Sequence, residues 1–223
     1  VALTGVQPRK YIFRGQSGPW RLRTTFHRTA RSDLVRFINE DRYEVHRAVS
    51  PLTRHFYDFS DALQVGAFYS LMQHHGYPTP FLDWSWSPFI AAFFAFRAKP
   101  AKGATHVRVF MFDLEAWERL IPRKDALTFV PPHLSFVEFL NIENPRAGPQ
   151  QAVSTATNID DVEAFIRIVE QQHKMTLLKA YDLPLSEREK VMNDLSLMGI
   201  TAASVFPGLD GTCEAVKNRM FGY

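Results

Sequence analysis

One segment, residues 73–88, constrains the fold of this chain more than any other. Ser87 followed by Pro88 is a helix-start signal, because the hydroxyl caps free N–H groups and proline lacks a donor that the first helical position would leave unpaired. The helix that this signal predicts, residues 89–96, is apolar on every side. A helix without a polar face has to be buried. The segment therefore predicts a short extended run that leads into a buried helix.

Polar and aromatic residues meet the N-terminal end of this predicted helix. The run Asp83-Trp84-Ser85-Trp86 directly precedes its cap. Helix N-termini offer unpaired N–H donors and a partial positive charge, which favours anions there. We therefore interpret the segment as a candidate binding site. The alternative is a satisfied helix cap in which Asp83 bonds turn amides.

The length and composition are typical of one globular domain with a full core. The chain has 223 residues, of which 46% are hydrophobic and 13% aromatic. No apolar run is long enough to span a bilayer. The single cysteine, Cys213, leaves no internal disulfide, which fits a reducing cytosol, and we expect it to pack within a helix. We predict a cytoplasmic protein without a membrane partner, and the start at Val1 indicates a trimmed chain that could lack a flanking domain.

Positive charge is concentrated at one end of the chain. The net charge is only +3, yet residues 1–36 contain eight basic residues against one acidic residue, Asp33, for a local net charge of +7. Such a basic end suits a phosphate-bearing ligand or an acidic partner, and it could equally be solvated surface. The eight are Arg9, Lys10, Arg14, Arg21, Arg23, Arg28, Arg31 and Arg36.

The hydrophobic patterns predict a mixed α+β fold in a single domain, residues 1–223, with a central, partly antiparallel sheet flanked by helices. Residues 121–158 are predicted to be irregular and are punctuated by prolines, which is typical of a lid or an interaction segment. The predicted strands are residues 11–16, 20–26, 105–112, 176–181 and 200–206. The predicted helices are residues 34–49, a helix between Ser60 and Gly76, residues 89–96, residues 113–120, a helix beginning at Asp160, a helix from a capping box at Ser186 to Gly199, and a final helix after Gly211.

Arg14 is the first candidate for ligand chemistry. An arginine at a strand end, followed by Gly15, can bind phosphate or carboxylate with two parallel hydrogen bonds while the glycine lets the ligand approach the backbone. Gln16 and Trp20 could supply an amide and a stacking face. The alternative is a structural ion pair between Arg14 and an internal carboxylate such as Asp83.

Several common sites are excluded or disfavoured by their missing motifs. The adjacent histidines, His74 and His75, lack further ligands at metal-binding spacing, so no metal is expected, and they suit the carbonyls at a helix end. Ser85 lies in Trp-Ser-Trp, which is not the Gly-x-Ser-x-Gly turn of many hydrolases. No phosphate-binding Gly-rich loop or dinucleotide-binding glycine pattern is present.

A third polar cluster lies at residues 144–155, ahead of and within a short Ala-Val strand. Its arginine and amides, Arg146, Gln150 and Gln151, could line a cleft. A polar loop alone would also explain this composition.

These clusters together resemble the FRG domain, a bacterial family named after its Phe-Arg-Gly motif. The stretches that carry the resemblance are residues 13–16 with Trp20, Leu22 and Arg28, residues 73–95, residues 144–151, and residues 206–211. One departure is Pro80-Phe81, where the family usually shows Arg-Leu. If that arginine holds a ligand in the family, Arg21 or Arg146 would have to replace it here.

The resemblance implies an enzyme that uses NAD as a substrate. The layout of the family is similar to that of ADP-ribosyltransferases, which bind NAD in a cleft formed by three motifs. We therefore expect an ADP-ribosyltransferase-like fold and an NAD-using ADP-ribosyltransferase or NAD glycohydrolase, with a protein or nucleic-acid acceptor. A role as a bacterial toxin or phage-defence effector is part of the same implication.

The resemblance also implies residue roles. Arg14 would grip the pyrophosphate or the nicotinamide ribose, and a nearby carboxylate, Asp83, would stabilise positive charge at the breaking bond. Gln151 stands where such transferases usually carry a glutamate, for which Glu138, Glu143 and Glu170 are candidate substitutes. The expected catalytic residues are Arg14, Asp83, Ser85 and Gln151, and the expected NAD-binding residues are Arg14, Gln16, Trp20, His75, Trp84, Ser87 and Arg146, with either tryptophan as the stacking surface.

The alternative function is a non-catalytic module that binds a phosphorylated ligand, nucleic acid or a partner protein. Its working surfaces would be the basic residues 1–36 and the proline-rich residues 121–158.

Overall fold

A six-stranded sheet forms the centre of the part of the chain that the computed structural model describes, residues 9–29, 31–97, 103–124 and 131–222. The strands are β1 (Tyr11–Gln16), β2 (Phe81–Ser85), β3 (His106–Asp113), β4 (Leu134–Val137), β5 (Ala152–Thr157) and β6 (Leu178–Pro184). Their order across the sheet is β4-β5-β2-β1-β3-β6. Every neighbouring pair is antiparallel, so the α+β prediction is confirmed and the sheet is antiparallel throughout rather than in part.

Helices cover both faces of this sheet. They are α1 (Leu34–Arg36), which continues through a π-helical turn (Phe37–Asp41) into α2 (Arg42–Val49), then α3 (Ala62–His74), α4 (Pro88–Arg97), α5 (Leu114–Leu120), α6 (Val162–His173), α7 (Arg188–Leu197), α8 (Ala202–Val205) and α9 (Leu209–Phe221). Among the described residues, no helix combines the length and apolar character that a membrane crossing requires.

Two strand predictions were wrong because local hydrogen bonding favours other structure. Residues 20–26 form no strand, and the chain there ends in a 3₁₀ turn at Phe26–Arg28. Residues 200–206 contain α8 instead, because Thr201 and Ser204 form a reciprocal capping box ahead of two alanines. Residues 121–158 are also less irregular than predicted, since they contain β4, which follows Pro132, and β5, which follows Pro149.

Three helix-start assignments shift by one or two residues. Asp61 and Asp161 accept the capping hydrogen bonds of α3 and α6, in place of Ser60 and Asp160. The capping box predicted at Ser186 is absent, because α7 begins at Arg188 without a side-chain cap. Cys213 is exposed on α9 rather than packed.

The core is divided into three apolar clusters. On one face of the sheet, Ile12, Trp84 and Phe112 pack with α5 and α6. On the other face, α4 packs with α7, α8 and the adjoining side of β3. An aromatic cluster around Phe37 and Phe68 joins α3 to the chain that precedes it. The apolar helix predicted at residues 89–96 is therefore largely buried, as α4.

The contact between α4 and β1 is unusually close at Gly15. A Cβ atom added to Gly15 would lie 1.8 Å from the carbonyl oxygen of Ala91 and 2.7 Å from the backbone nitrogen of Ala95. Both obstacles are helix backbone, which cannot rotate away as a side chain can. Glycine is required here because the helix backbone rests directly on the strand.

We expect Gly15→Ala to destabilise the protein by about 3 kcal/mol or more, because α4 must move off β1 to admit the methyl group. Urea unfolding monitored by circular dichroism measures this loss. Gly148→Ala is the matched control, because nothing lies within 4 Å of a Cβ there, and its effect should stay within about 0.5 kcal/mol. Equal stability of the two variants would contradict the close packing.

Candidate functional site

A cavity of about 430 Å³ gathers the polar clusters that lie far apart in the sequence. Its lining includes residues 13–17 of β1 and the following turn, residues 83–85 of β2, residues from 144 to 152, and Phe206. Helices α3 and α4 and the side chains of Trp20 and Arg28 complete it. All four stretches of the motif analysis therefore contribute to one concave site.

The cavity lies beside a gap in the sheet between β1 and β2. These strands share one partner pair, Phe13 opposite Ser85, whereas β1 and β3 are in register over six pairs. A guanidinium N–H of Arg14 donates to the main-chain carbonyl oxygen of Asp83 across a distance of 2.5 Å. Arg14 therefore supplies, from its side chain, a bridge between strands whose backbone pairing has ended.

Arg14 is a positive charge held in a largely enclosed position. Burial lowers the pKa of its guanidinium, and the nearby carboxylate of Asp83 partly offsets that effect. Arginine nevertheless stays protonated at neutral pH. Its Nε atom is buried without a hydrogen-bond partner, and its bond to Asp83 is to the carbonyl oxygen. The structural ion pair considered for Arg14 and Asp83 is not what the geometry shows.

Two of the eight basic residues among residues 1–36 have no carboxylate partner in the described part of the chain, and both line the cavity. They are Arg14 and Arg28. A third lining arginine, Arg146, also forms no ion pair with a described residue. The six paired residues form the contacts Arg9–Glu138, Lys10–Asp113, Arg21–Asp161, Arg23–Asp160, Arg31–Asp41 and Arg36–Glu40. Within residues 1–36, the basic side chains without a carboxylate partner are thus the ones that line the cavity.

Of the two arginines considered as replacements, Arg146 lines the cavity and Arg21 does not. Arg146 lines the cavity, with its guanidinium carbon 5.3 Å from the ring centre of Phe206. Arg97 lies 4.2 Å from the same ring and forms two 2.7 Å hydrogen bonds with Glu214 of α9. Phe206 therefore links the cavity wall to the last helix.

Asp83 is the only carboxylate among the described residues that line this cavity. Its side chain is exposed and accepts a 3.4 Å hydrogen bond from the hydroxyl of Ser154 on β5. The candidate substitutes are engaged elsewhere: Glu143 accepts the backbone N–H of Arg54, and Glu170 accepts those of Leu177 and Leu178. Glu138 pairs with Arg9 in a neighbouring cavity.

The two candidate stacking residues have different environments. Trp20 is 48% exposed and lines the cavity. Trp84 is buried, its indole N–H donates to the hydroxyl of Thr155, and its ring stacks on Phe112 with centres 5.8 Å apart. The Trp84 ring thus belongs to the core, and Trp20 is the tryptophan whose ring a ligand can reach.

The hydroxyl groups of Ser85 and Ser87 form hydrogen bonds within the protein. Ser85 donates to the carbonyl oxygen of Gln150 at 2.8 Å and accepts the backbone N–H of Ser87 at 3.1 Å. Ser87 in turn caps the N–H of Ile90. These serines fix the start of α4 against the loop before β5. These contacts agree with the alternative interpretation of a satisfied helix cap, although serines and not Asp83 form the cap.

Three expected site residues, His75, Ser87 and Gln151, do not line the cavity. His75 is exposed at the end of α3, whereas the neighbouring His74 does line the cavity. Gln151 lines an adjacent, larger cavity of about 740 Å³, whereas its neighbour Gln150 lines the cavity of about 430 Å³. The larger cavity is the weaker candidate, because both of its basic side chains, Arg9 and Lys10, are ion-paired.

The sequence reasoning included the end of α3 in the candidate site but missed Ser70 and the helix face to which it belongs. Ser70, Gln73 and His74 line the cavity from this helix, and Asn144 donates a 3.3 Å hydrogen bond to Ser70. The spacing of 70, 73 and 74 is that of one helix face, which is the signal that could have identified them. No described group of three or more His, Cys, Asp or Glu side chains is arranged to hold a metal ion.

His74 is neutral at physiological pH. Its pKa is lowered to about 4, mainly because burial disfavours the charged form and also because Arg146 and His75 repel it. The unfolded chain therefore binds more protons than the folded protein between about pH 4 and the ordinary value of 6.5. The contribution of neutral His74 to the free energy of unfolding is therefore fully present above pH 6.5 and is lost as the pH falls towards about 4.

We expect His74→Gln to reduce the pH dependence of stability. Between neutral pH and pH 4 the wild type should lose about 1–2 kcal/mol more than the variant, after allowance for solvent screening of a half-buried group. Urea titrations at a series of pH values measure the difference. His173→Gln, at an exposed position on α6, should follow the wild type. Parallel curves for wild type and His74→Gln would show that His74 titrates normally.

Comparison with known proteins gives a match to one family. Neither the curated proteins nor the solved structures include a significant match to this chain. Residues 9–104 match the model of the FRG domain, a range that contains Phe13-Arg14-Gly15 and the whole of residues 73–88. The cavity residues from 144 onwards lie beyond the matched range. Within residues 9–104, the chain is therefore similar to the FRG domain family.

Proposed function

We propose that the cavity binds NAD and that the protein cleaves the bond between nicotinamide and ribose, as an ADP-ribosyltransferase or an NAD glycohydrolase. The observation that carries the proposal is the charge arrangement. Three arginines without carboxylate partners among the described residues, Arg14, Arg28 and Arg146, surround a cavity that contains one carboxylate, Asp83. This arrangement suits an anionic ligand that carries one centre of positive charge.

The lining also suits the other parts of a dinucleotide. Guanidinium groups bind phosphate oxygens with paired, charge-assisted hydrogen bonds. The half-exposed ring of Trp20 offers a stacking surface for an aromatic base. The cavity volume of about 430 Å³ lies within the usual range of small-molecule sites, roughly 300–1,000 Å³.

The chemistry requires little of the protein beyond positioning and charge. The bond between ribose C1′ and the cationic nicotinamide nitrogen breaks, and its electron pair leaves with the ring as neutral nicotinamide. The sugar passes through an oxocarbenium-like state, which the carboxylate of Asp83 stabilises. An oxygen of water or of an acceptor hydroxyl then bonds to C1′ and gives up its proton, for which Asp83 is the available base.

The structure weakens the alternative of a basic interaction surface. Six of the eight basic residues in the first 36 are neutralised by carboxylates, and the proline-rich stretch contributes two strands to the sheet. The basic residues are therefore mostly ion-paired and the proline-rich stretch is partly built into the sheet, so both surfaces are less available to a partner than that function requires. A non-catalytic protein could bind a nucleotide in the same cavity, and the absence of turnover would distinguish it from an enzyme.

We expect NAD to raise the melting temperature of the protein, and Arg28→Ala to weaken NAD binding about ten-fold or more by removing a charge-assisted contact. Arg28 is the better choice than Arg14, because it is exposed and its loss leaves no carbonyl unpaired. Calorimetric titration measures both affinities. Arg36→Ala, which removes an exposed arginine paired with Glu40, is the control and should bind like the wild type. No thermal shift and no measurable binding would contradict the proposal.

We expect Asp83→Asn to retain NAD binding while lowering nicotinamide release by about 100-fold or more, because the amide cannot stabilise the cationic sugar. Chromatographic detection of nicotinamide, together with detection of ADP-ribose on protein or nucleic acid in cell extract, separates hydrolysis from transfer. Asp210→Asn, at an exposed position on α9, is the matched control. NAD binding by the wild type without any nicotinamide release would favour the non-catalytic alternative.

A further inference from the structure

Gln16 is a buried amide without partners at the edge of the cavity. It is the last residue of β1, lines the cavity and is 6% exposed. Its amide oxygen and amide nitrogen are both buried, and neither has a hydrogen-bond partner among the described residues. Most buried side-chain polar atoms in proteins are paired, because an unpaired one costs free energy. The protein without ligand therefore leaves two strong hydrogen-bonding atoms unused.

Gln16 lies next to the proposed phosphate contact. Side chains two positions apart on a strand point to the same face and are separated by about 7 Å. Arg14 and Gln16 have this relationship on β1, and both line the cavity. A ligand held through its charge by Arg14 can thus present another of its groups to Gln16.

We propose that Gln16 is a specificity-determining residue, which pairs through both atoms of its amide with a ligand group that carries a donor and an acceptor side by side. This inference rests on the proposed NAD-binding function. A primary amide offers one acceptor oxygen and an NH₂ donor in one plane, so it complements such an edge with two parallel hydrogen bonds. A small side-chain rotation, common at binding interfaces, turns the amide towards the ligand.

NAD contains two groups with this chemistry. One is the carboxamide of nicotinamide, and the other is the edge of adenine that bears the amino group and a ring nitrogen acceptor, which glutamine pairs with in nucleic-acid recognition. Replacing either group separately identifies the one that Gln16 contacts. Nicotinic acid adenine dinucleotide lacks the carboxamide, and nicotinamide hypoxanthine dinucleotide lacks the adenine amino group.

The experiment measures the affinities of NAD and these two analogues for the wild type and for Gln16→Met, which keeps the length of the side chain. We expect the wild type to prefer NAD to one of the analogues by about ten-fold or more. Gln16→Met should lose that preference and bind NAD about as weakly as the wild type binds that analogue. The control is Gln171→Met, at an exposed position that lines neither cavity, and it should keep the preference.

The outcomes distinguish a failure of this inference from a failure of the proposed NAD-binding function on which it rests. Loss of the preference against the nicotinic acid analogue assigns Gln16 to the carboxamide, and loss of the preference against the hypoxanthine analogue assigns it to adenine. If the wild type binds NAD but Gln16→Met leaves every preference intact, the inference is overturned and the proposed function stands. If none of the three dinucleotides binds the wild type, both are overturned.

The melting temperature of the protein without ligand provides a second readout. Because both amide atoms are unpaired in the free protein, Gln16→Met should melt at the same temperature as the wild type or about 2–4 °C higher. A residue kept for structural reasons would instead lower the melting temperature when replaced. A clear destabilisation by Gln16→Met, accompanied by unchanged ligand preference, would assign Gln16 a structural role.

Discussion

The hydrogen bond from Arg14 to the carbonyl oxygen of Asp83 is the interaction on which the site depends. It occupies the place where β1 and β2 stop pairing, so the sheet can open there without leaving that carbonyl unsatisfied. The same opening exposes the carboxylate of Asp83 beside a guanidinium that is not neutralised by it. One side chain therefore closes the structural gap and supplies charge to the cavity.

The rest of the fold holds this opening in place. On one side, β1 is fixed by its full pairing with β3 and by the direct contact of Gly15 with α4. On the other side, β2 is fixed by five pairs with β5, and Ser85 ties it to the loop that carries Arg146. Ion pairing neutralises the other six basic side chains of residues 1–36, so Arg14 and Arg28 remain as the ones without a carboxylate partner in the described part of the chain.

The sequence could predict the α+β class, the buried α4 and several residues of the cavity, because these follow from local patterns. Arg14 at a strand end and Arg146 in the third polar cluster are examples of such cavity residues. Sequence could not decide between Trp20 and Trp84, because the face to which a strand residue points depends on its register in the sheet. It also could not show which arginines are ion-paired, since partners such as Asp160 and Asp161 come from distant parts of the chain. The sequence predicted only a short Ala-Val strand where β5 extends over Ala152–Thr157, because the hydroxyl side chains that continue this strand are buried.

The sheet order has a consequence for when the site comes into being during synthesis. The partners of β2 and β1, namely β5 and β3, both follow them in the chain, and the wall residue Phe206 comes later still. Contacts of such long sequence separation form late and cooperatively. A ribosome-bound chain that has emerged only as far as residue 140 contains Arg14 and Asp83 but has no cavity around them. The cavity is thus complete only after residues as far as Phe206 have been translated and folded.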